Sequence, residues 1–559
     1  MIRKLSAAVV ALFVSACATQ QLPQPAVPAA PVEVQILALN DFHGNLEASQ
    51  APIRFELPNG QMAGDSLGGA AVIGVELAKM RANRNSITVA AGDLIGASPL
   101  TSAYFLDEPT IDAMNLMGLE LASVGNHEFD KGSAELLRIQ NGGCERFTTR
   151  VPCRLESFQG AKFRYLAANV RKGDGSTLFS PTAIRDVGPI RIGFIGMTLK
   201  DTGTLVTPAG VAGLHFTDEA ETANALVPQL KSQGADTIVL LIHQGGKTPE
   251  TYKTGDCEGL SGEILPILDK LDPAIATIVS GHTHNAYACQ IDRGGAPRLL
   301  TSAGKYGYFV TDLRLTFDAK SHRLISQHAQ NAAMTSTNYP APSPIGILVK
   351  RYVDAAAPAA ARVVGKLRGD APKSETDGES SAANLIADAQ LAATRAKDRG
   401  AADISFINAT GVRTSLVPGV GGNVTYGQVF AMQPFGNNLV VKTMTGAQLK
   451  DLLEQQFVES DGHAKLGSLL VPSANFRFAY KLDAPKGERI QSMTLDGKPI
   501  APASKYRVTT NNFLASGGDG FSVFTQGTDT FDAGLDLDAL EAYLATNPAA
   551  PAVGRVTAR

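Results

Sequence analysis

The chain lacks a membrane-spanning segment of ordinary length. The apolar stretch from Leu5 to Ala16 falls short of the roughly 20 residues that a bilayer-crossing helix needs. It also lacks an excess of positive charge. Lys and Arg number 50 against 53 Asp and Glu, a formal net charge of -3, so no basic excess advertises binding to long nucleic acid through its phosphates. Any phosphate chemistry must therefore be local. No internal repeat is visible, and the five cysteines are too few for a disulfide-dense scaffold. What remains is an ordinary globular composition, 44% hydrophobic and 18% charged over 559 residues. A single core stops growing near roughly 250 to 300 residues, so two large domains are expected.

The N-terminus reads MIRKLSAAVVALFVSAC: Arg3 and Lys4 before a short apolar segment form a secretory signal, residues 1–17. Its end, VSAC, resembles a bacterial lipobox, which makes Cys17 the expected lipidation site. The Pro/Ala/Gln-rich stretch 18–33 would serve as a tether. Setting Cys17 aside leaves Cys144, Cys153, Cys257 and Cys289, an even number in a chain exported to an oxidising compartment. Three pairings are possible. Proximity favours Cys144 with Cys153 and Cys257 with Cys289, against the alternative of four separate buried thiols.

Residues 34–335 alternate short apolar runs with helix-like patterns, the rhythm of an α/β sheet protein. The breaker cluster TSTNYPAPSP and the helical segment IGILVKRYVDAAAPAAARVV then mark 336–362 as linker and connecting helix. From 363 to 559 a second mixed unit follows, with helix candidates SAANLIADAQLAATRAK and TGAQLKDLLEQQFV between strand runs such as ISFIN, NLVVKTM and FRFAYKL.

Five apolar runs in the first unit end in the same kind of chemistry. VQILALNDFHG ends in Asp41 and His43, ITVAAGD in Asp93, LASVGNHEFD in Asn126 and His127, TIVLLIH in His243, and ATIVSGHTH in His282 and His284. Sites in α/β proteins lie beyond the carboxyl ends of strands, where loops from distant parts of the chain converge. Imidazole mixed with carboxylate and amide oxygen, without thiolate, suits Mn, Zn, Fe(II) or Co and argues against a structural cysteine-rich zinc site. Even with one of these eight in another role, seven candidate ligands exceed the four of one zinc site, whereas two ions sharing a carboxylate would use such a set naturally. Such a pair, ~3.5–4 Å apart, can hold a nucleophilic hydroxide and stabilise both oxygens of a displacement at phosphorus.

The ordered series NDFHG, AGDLIG, GNHEFD, IHQGG and SGHTH resembles the calcineurin-like metallophosphoesterase domain, in particular the exported 5'-nucleotidase family that includes periplasmic UDP-sugar hydrolases. The resemblance spans nearly the whole mature chain. It implies an N-terminal four-layer α/β/β/α sandwich and an α+β C-terminal substrate-binding domain. It further implies that Asp41, His43, Asp93 and His284 hold one ion and that Asp93, Asn126, His243 and His282 hold the other, with Asp93 bridging. His127 then becomes a catalytic non-ligand that contacts the phosphoryl group, its imidazole oriented by Asp130. Glu128 is expected to be structural. Well-known periplasmic and vertebrate members carry Gln at the position of His284, while other relatives carry the same His-x-His pair; an imidazole still ligates, but the departure leaves the ion preference open.

The same resemblance assigns specificity to the second unit. INATGVR offers Asn408 and Arg413, MQPFGNNL offers Phe435, and TNNFLASGGDGF offers Phe513 and Asp519. The two aromatics would clamp a base, Asn408 and Arg413 would reach polar groups of the nucleoside or an adjoining phosphate, and Asp519 would accept from the ribose hydroxyls. Stacking a base on an aromatic ring is worth ~1–3 kcal/mol. A second departure lies before NLIADA, where relatives often have an arginine and this chain has Gly378 and Glu379.

The expected function is hydrolysis of nucleotide phosphate esters, most simply nucleoside 5'-monophosphate to nucleoside and phosphate, in the periplasm or cell envelope, with the outer membrane as the expected anchor site. Alternatives on the same scaffold are a 2',3'-cyclic nucleotide phosphodiesterase, a UDP-sugar or NAD pyrophosphatase, and a thiosulfohydrolase. A surface binding lipoprotein is the alternative outside enzymes. The expected partner is a small nucleotide, with no nucleic-acid polymer and membrane contact only through the lipid.

Overall fold

The computed structural model describes residues 30–559 apart from 57–59, 149, 250–256, 258, 336–342, 375, 377, 461 and 462. The signal, Cys17 and most of the tether lie outside the described residues. Among those described, no helix is long and apolar enough to cross a membrane.

Two six-stranded sheets form the first unit. One runs in the order Leu324–Ala333, Phe309–Phe317, Val32–Leu39, Ser86–Ala91, Leu121–Ser123, Arg164–Leu166; the other runs Ala286–Arg293, Ala296–Ala303, Ile275–Ser280, Thr237–His243, Ile190–Thr198, Thr182–Val187. Successive side chains of a strand point to opposite faces, and the sequence uses both. Val34, Ile36 and Ala38 join Val89, Phe194, Val239 and Leu241 in a core between the sheets. Leu37 and Leu39 instead face Ile73, Leu77, Ile111 and Met114 of the helices Ala70–Arg81 and Glu108–Met117. On the far side, Ile195, Leu240 and Ile242 pack against Ala223, Val227 and Leu230 of the helix Glu219–Ser232. Helix, sheet, sheet and helix are thus stacked, and apolar runs with little polar alternation are what strands buried on both faces require.

Within each sheet the central strands are parallel: Val32–Leu39 with Ser86–Ala91, Ser86–Ala91 with Leu121–Ser123, and Thr237–His243 with both Ile190–Thr198 and Ile275–Ser280. Parallel pairing sends their carboxyl ends to one edge of each sheet, where the loops of the site begin.

The helix Pro344–Ala360 starts with Ser343 capping the Gly346 N–H. It is docked on the first unit. Ile345 occupies the space left by Gly74, where a Cβ would collide with the Ile345 Cδ1, and Tyr352 meets Phe105 edge-on with ring centroids 4.8 Å apart. The second unit is built on a five-stranded sheet in the order Leu470–Pro472, Ile404–Asn408, Lys505–Asn511, Asn438–Thr445, Thr528–Leu535. The helix Ser381–Thr394 packs Leu385 and Ile386 against Ile404, Phe406 and Val508. Leu100 and Ala103 of the first unit join that core, so the two halves meet through apolar contact.

Cys144 is bonded to Cys153 and Cys257 to Cys289, the pairing that proximity favours.

Candidate active site

The strand ends place their polar residues in a tight cluster. Asp41, His43 and His284 bring ligand atoms within 4.8 Å of one another, as do Asp93, His243 and His282, and a third triad of His43, Asp93 and His127 joins the two. The Asp93 Oδ2 lies 3.0 Å from the His243 Nε2 and 3.6 Å from the His43 Nε2. The Asn126 Oδ1 is 3.2 Å from the His243 Nε2. All seven residues expected as ligands converge.

Backbone geometry makes this convergence possible at a cost. Asp41, His43, Asp93, His282 and His284 have φ of 49°, 48°, 50°, 71° and 63°, the left-handed region that costs a non-glycine residue about 1–2 kcal/mol. Strain of this kind persists where the surroundings over-determine it, as at functional sites. Two glycines let the loops approach: a Cβ on Gly92 would lie 2.7 Å from the Gly125 N and from the His243 Nδ1, and one on Gly125 would collide with the Asp93 carboxylate.

Glu128 supplies much of the over-determination. Its buried carboxylate accepts from the backbone N–H groups of Asp93 at 2.9 Å, Leu94 at 2.8 Å, Ile95 at 3.4 Å and Gly125 at 2.6 Å. It thereby ties two ligand loops together, the structural role expected of it. Burial, with the Asp93 charge, pushes its pKa up to about 7. Asn40 is a supporting residue that the sequence did not single out. Its Nδ2 donates to the Asp41 Oδ2 at 2.7 Å, while its Oδ1 accepts from the Ala303 N–H at 2.6 Å. The only signal was its place beside Asp41 at a strand end.

The donor set fits a pair of cations. The Nδ1–H of His43 donates to the Gly96 carbonyl at 2.9 Å, and that of His243 to the Ala91 carbonyl at 2.8 Å. Each bond leaves the Nε2 turned toward the cluster, the usual way a ligating imidazole is oriented. The Nε2 atoms of His43 and His284 face each other at 3.2 Å, and with the His43 proton on Nδ1 that approach suits a shared cation. Burial pushes the pKa of His43 and of His282 down to about 3 and lowers that of His284 well below its ordinary value, which favours the uncharged ring, the form able to ligate a cation. Burial works against the Asp93 carboxylate, but His243 and His127 outweigh it and hold its pKa well below the usual range.

His127 sits at the start of a short 3-10 turn, His127–Phe129. Its Nδ1 is 2.8 Å from the Asp130 Oδ2. Burial disfavours its charge, yet the Asp130 and Asp93 carboxylates outweigh burial and raise its pKa.

A cavity of about 320 Å³ opens from this cluster toward the second unit. Asp93, Asn126, His127, Asp130, His282 and His284 line it from one side, and Asn408, Arg413, Phe435, Phe513 and Asp519 from the other. All five residues expected to bind substrate in the second half therefore line the same cavity. The Asp519 Oδ2 accepts from the Asn408 Nδ2 and from the Thr410 hydroxyl, both at 2.7 Å. The Arg413 guanidinium lies 5.8 Å from the Phe435 ring centroid. The Phe435 ring is nearly parallel to the His127 ring, 17° apart with centroids at 6.2 Å. Gln433 and Tyr306 were not foreseen. Gln433 lines the cavity, and Tyr306 packs its ring 5.9 Å from both His43 and His284. Glu379 stands apart from the site, accepting from the N–H groups of Gly554, Arg555 and Val556.

Comparison with known proteins follows the same division. Residues 34–286 match the calcineurin-like phosphoesterase family, and residues 361–526 match the 5'-nucleotidase C-terminal domain. Among curated relatives, the endonuclease YhcR of Bacillus subtilis (strain 168) is 28% identical over 504 residues, 89% of this chain and 38% of that protein. The cell wall protein Lmo0130 of Listeria monocytogenes serovar 1/2a is 30% identical over 537 residues, 88% of this chain and 64% of that protein. The chain thus spans less than two thirds of either relative. Among solved structures, a 5'-nucleotidase precursor from Thermus thermophilus superposes with a TM-score of 0.73 at 26% identity, covering 94% of this chain and 99% of that one.

Proposed function

Because the chain belongs to the exported bacterial 5'-nucleotidase family, a calcineurin-like phosphoesterase domain joined to a 5'-nucleotidase C-terminal domain, we propose that it hydrolyses nucleotide phosphate esters, most simply a nucleoside 5'-monophosphate to nucleoside and phosphate. One observation carries this reading: the donor cluster of the first unit and the aromatic, amide and carboxylate groups of the second line one cavity.

Asp41, His43, Asp93 and His284 would hold one divalent ion, and Asp93, Asn126, His243 and His282 the other, with Mn, Zn, Co or Fe as the candidates that the donor set suits. When bound, such a pair supplies positive charge at the phosphoryl oxygens and activation of water. The chain's own residues do the rest. His127 carries its proton on a ring whose Nδ1 side is held by Asp130, and presents positive charge where negative charge develops on the phosphoryl group. Phe435 and Phe513 stack the base, Asp519 accepts from ribose hydroxyls, and Arg413 and Asn408 reach the remaining polar groups. Since the helix Pro344–Ala360 is docked on the first unit, relative rotation of the halves would pivot at its C-terminal end, near Ala361.

A second reading has an observation in its favour. A neighbouring cavity of about 650 Å³ shares Asp130, Thr207 and Phe435 with the first and adds Lys131 and Arg150. That space supports a bulkier diphosphate substrate, such as a UDP-sugar or NAD. A panel of AMP, UDP-glucose, NAD, 2',3'-cyclic AMP and thiosulfate conjugates, with Mn²⁺ or Co²⁺ and with chelator, separates these readings. Turnover of AMP alone supports the first, and no turnover of any ester with any ion removes the enzymatic proposal.

The chain is exported, as two cystine pairs befit. Lipidation at Cys17 and an outer-membrane location extend that statement as proposals.

A further inference from the structure

Behind the second unit's wall of the cavity, Gln433 meets Asp536, the first residue of the helix Asp536–Leu544. Both are shut off from solvent, Gln433 at 2% exposed and Asp536 at 1%. The Gln433 Nε2 donates to the Asp536 Oδ2 at 3.5 Å. That contact leaves one acceptor over on each side, because the Gln433 Oε1 and the Asp536 Oδ1 are buried and have no hydrogen-bond partner among the described residues. Unpaired buried acceptors are rare and costly, and two of them on touching side chains call for one explanation. An ionised carboxylate has no donor to give, whereas a carboxylic acid has one. A single proton on the Asp536 Oδ1 would serve both oxygens.

Among the described residues, no cation acts on Asp536 to hold it ionised. On its own helix Asp538 sets a second negative charge against it, and Glu541 is paired with Arg362. The ionisable groups on the elements packed against that helix are engaged or turned to solvent. Asp388 is held by Arg555 at 2.7 Å, the Arg362 guanidinium lies over the Tyr426 ring, and Lys366, Asp529 and Asp532 are exposed. Burial pushes the Asp536 pKa up to about 8, with Asp538 adding to it and the backbone N–H groups of Leu537 and Asp536 opposing it.

Gln433 matters because of what its segment carries. Phe435 follows two positions on and lines the cavity with it, and the Met432 carbonyl just before it accepts from the Arg413 N–H at 3.0 Å. The far end of the segment is tied where the Asp536 N–H donates to the Asn437 carbonyl at 2.9 Å. One contact thus sets the ring and the arginine together.

We propose that Asp536 is a protonated carboxylic acid that clasps the Gln433 amide through two hydrogen bonds, and that it is thereby a positioning residue for Phe435 and Arg413. The effect on substrate rests on the nucleotide reading of the cavity; the clasp itself does not. Asparagine mimics the acid, because its Nδ2 donates where the proton would and its Oδ1 accepts from the Gln433 Nε2. Alanine can do neither.

Steady-state hydrolysis of AMP by the full chain at saturating Mn²⁺ reads the effect on the site. At about pH 7, Asp536→Asn should keep kcat and KM within about twofold of the wild type, whereas Asp536→Ala should raise KM about fivefold or more with kcat kept. Toward higher pH the wild-type acid ionises and loses the clasp, so its KM divided by that of Asp536→Asn should climb about threefold or more between about pH 7 and 9. The ratio cancels titrations that both proteins share. Thermal melting follows the same proton without substrate. A carboxyl whose folded-state pKa is raised gives stability that is lost as pH rises from about 4 to about 8, so the wild type should lose melting temperature relative to Asp536→Asn across that window. A melting difference that does not change with pH, a KM ratio flat with pH, or an Asp536→Asn KM as high as that of Asp536→Ala overturns the inference. If Asp536→Ala does not fold, Asp536→Asn and its pH ratios decide. The enzymatic reading fails separately: no hydrolysis of AMP by the wild type under any divalent ion removes catalysis, and the melting comparison then decides the clasp.

Discussion

Replacing Asp130 by Asn tests how His127 works. The Asp130 Oδ2 lies 2.8 Å from the His127 Nδ1 and 3.2 Å from the Ala97 N–H, and the two side chains are 17% and 19% exposed, so solvent screens the pair only in part. Hydrogen bonds to a charged group are worth about 1.5–3 kcal/mol, and each ~1.36 kcal/mol is a factor of ten in rate. If His127 acts as a cation on charge that develops only in the transition state, Asp130→Asn should lower kcat by roughly 10- to 150-fold while KM changes little. The pH profile carries the sign. Asp130 and Asp93 together raise the His127 pKa against burial, so the protonated ring persists to higher pH than an ordinary histidine. Removing the Asp130 charge moves the loss of activity on the basic side to lower pH. Initial rates on AMP at saturating Mn²⁺ between pH 5 and 9 measure both effects. A variant with unchanged kcat and an unmoved basic limb would refute the role given to the dyad.

Other consequences follow from the same contacts. Glu128→Gln replaces an all-acceptor group that receives four backbone N–H bonds with an amide whose NH₂ can receive none, so unfolding should become easier by about 1–3 kcal/mol and bound metal per chain should fall; unchanged denaturation and metal content would contradict this. Phe435→Ala should raise KM for AMP by roughly 5- to 150-fold with kcat largely kept, the equivalent of ~1–3 kcal/mol of stacking; steady-state kinetics decide. Chain-entropy reasoning gives more stabilisation to the disulfide closing the longer loop. The separations are 32 residues for Cys257–Cys289 and 9 for Cys144–Cys153. Thermal denaturation of the two double-serine variants should show losses of about 2–4 kcal/mol each, larger for the first.

The sequence disclosed the parts of this molecule that repeat a local rule. Runs such as VQILALN and TIVLLIH are apolar on both faces because each strand has a sheet on one side and a helix on the other. A histidine or aspartate at the end of such a run stands out for that reason. The pairing of Cys144 with Cys153 and of Cys257 with Cys289 was favoured by closeness in the chain. What stayed hidden depends on contacts between distant residues. Nothing near Gly74 shows that Ile345 will fill the space above it, so a segment that reads as a connecting helix turns out to be docked on the first unit. Gln433 is a lone glutamine whose significance comes from Asp536, more than a hundred positions on. Glu379 occupies the neighbourhood where relatives often have an arginine, and its task of holding the chain at Gly554 to Val556 has no local signature.

The account depends on a pair of cations held by seven side chains. Anomalous diffraction from crystals soaked in Mn²⁺ tests this most directly. Two peaks ~3.5–4 Å apart, one touching Asp41, His43 and His284, the other Asn126, His243 and His282, with Asp93 contacting both, are the predicted result. A single peak, or none at saturating Mn²⁺, would contradict it.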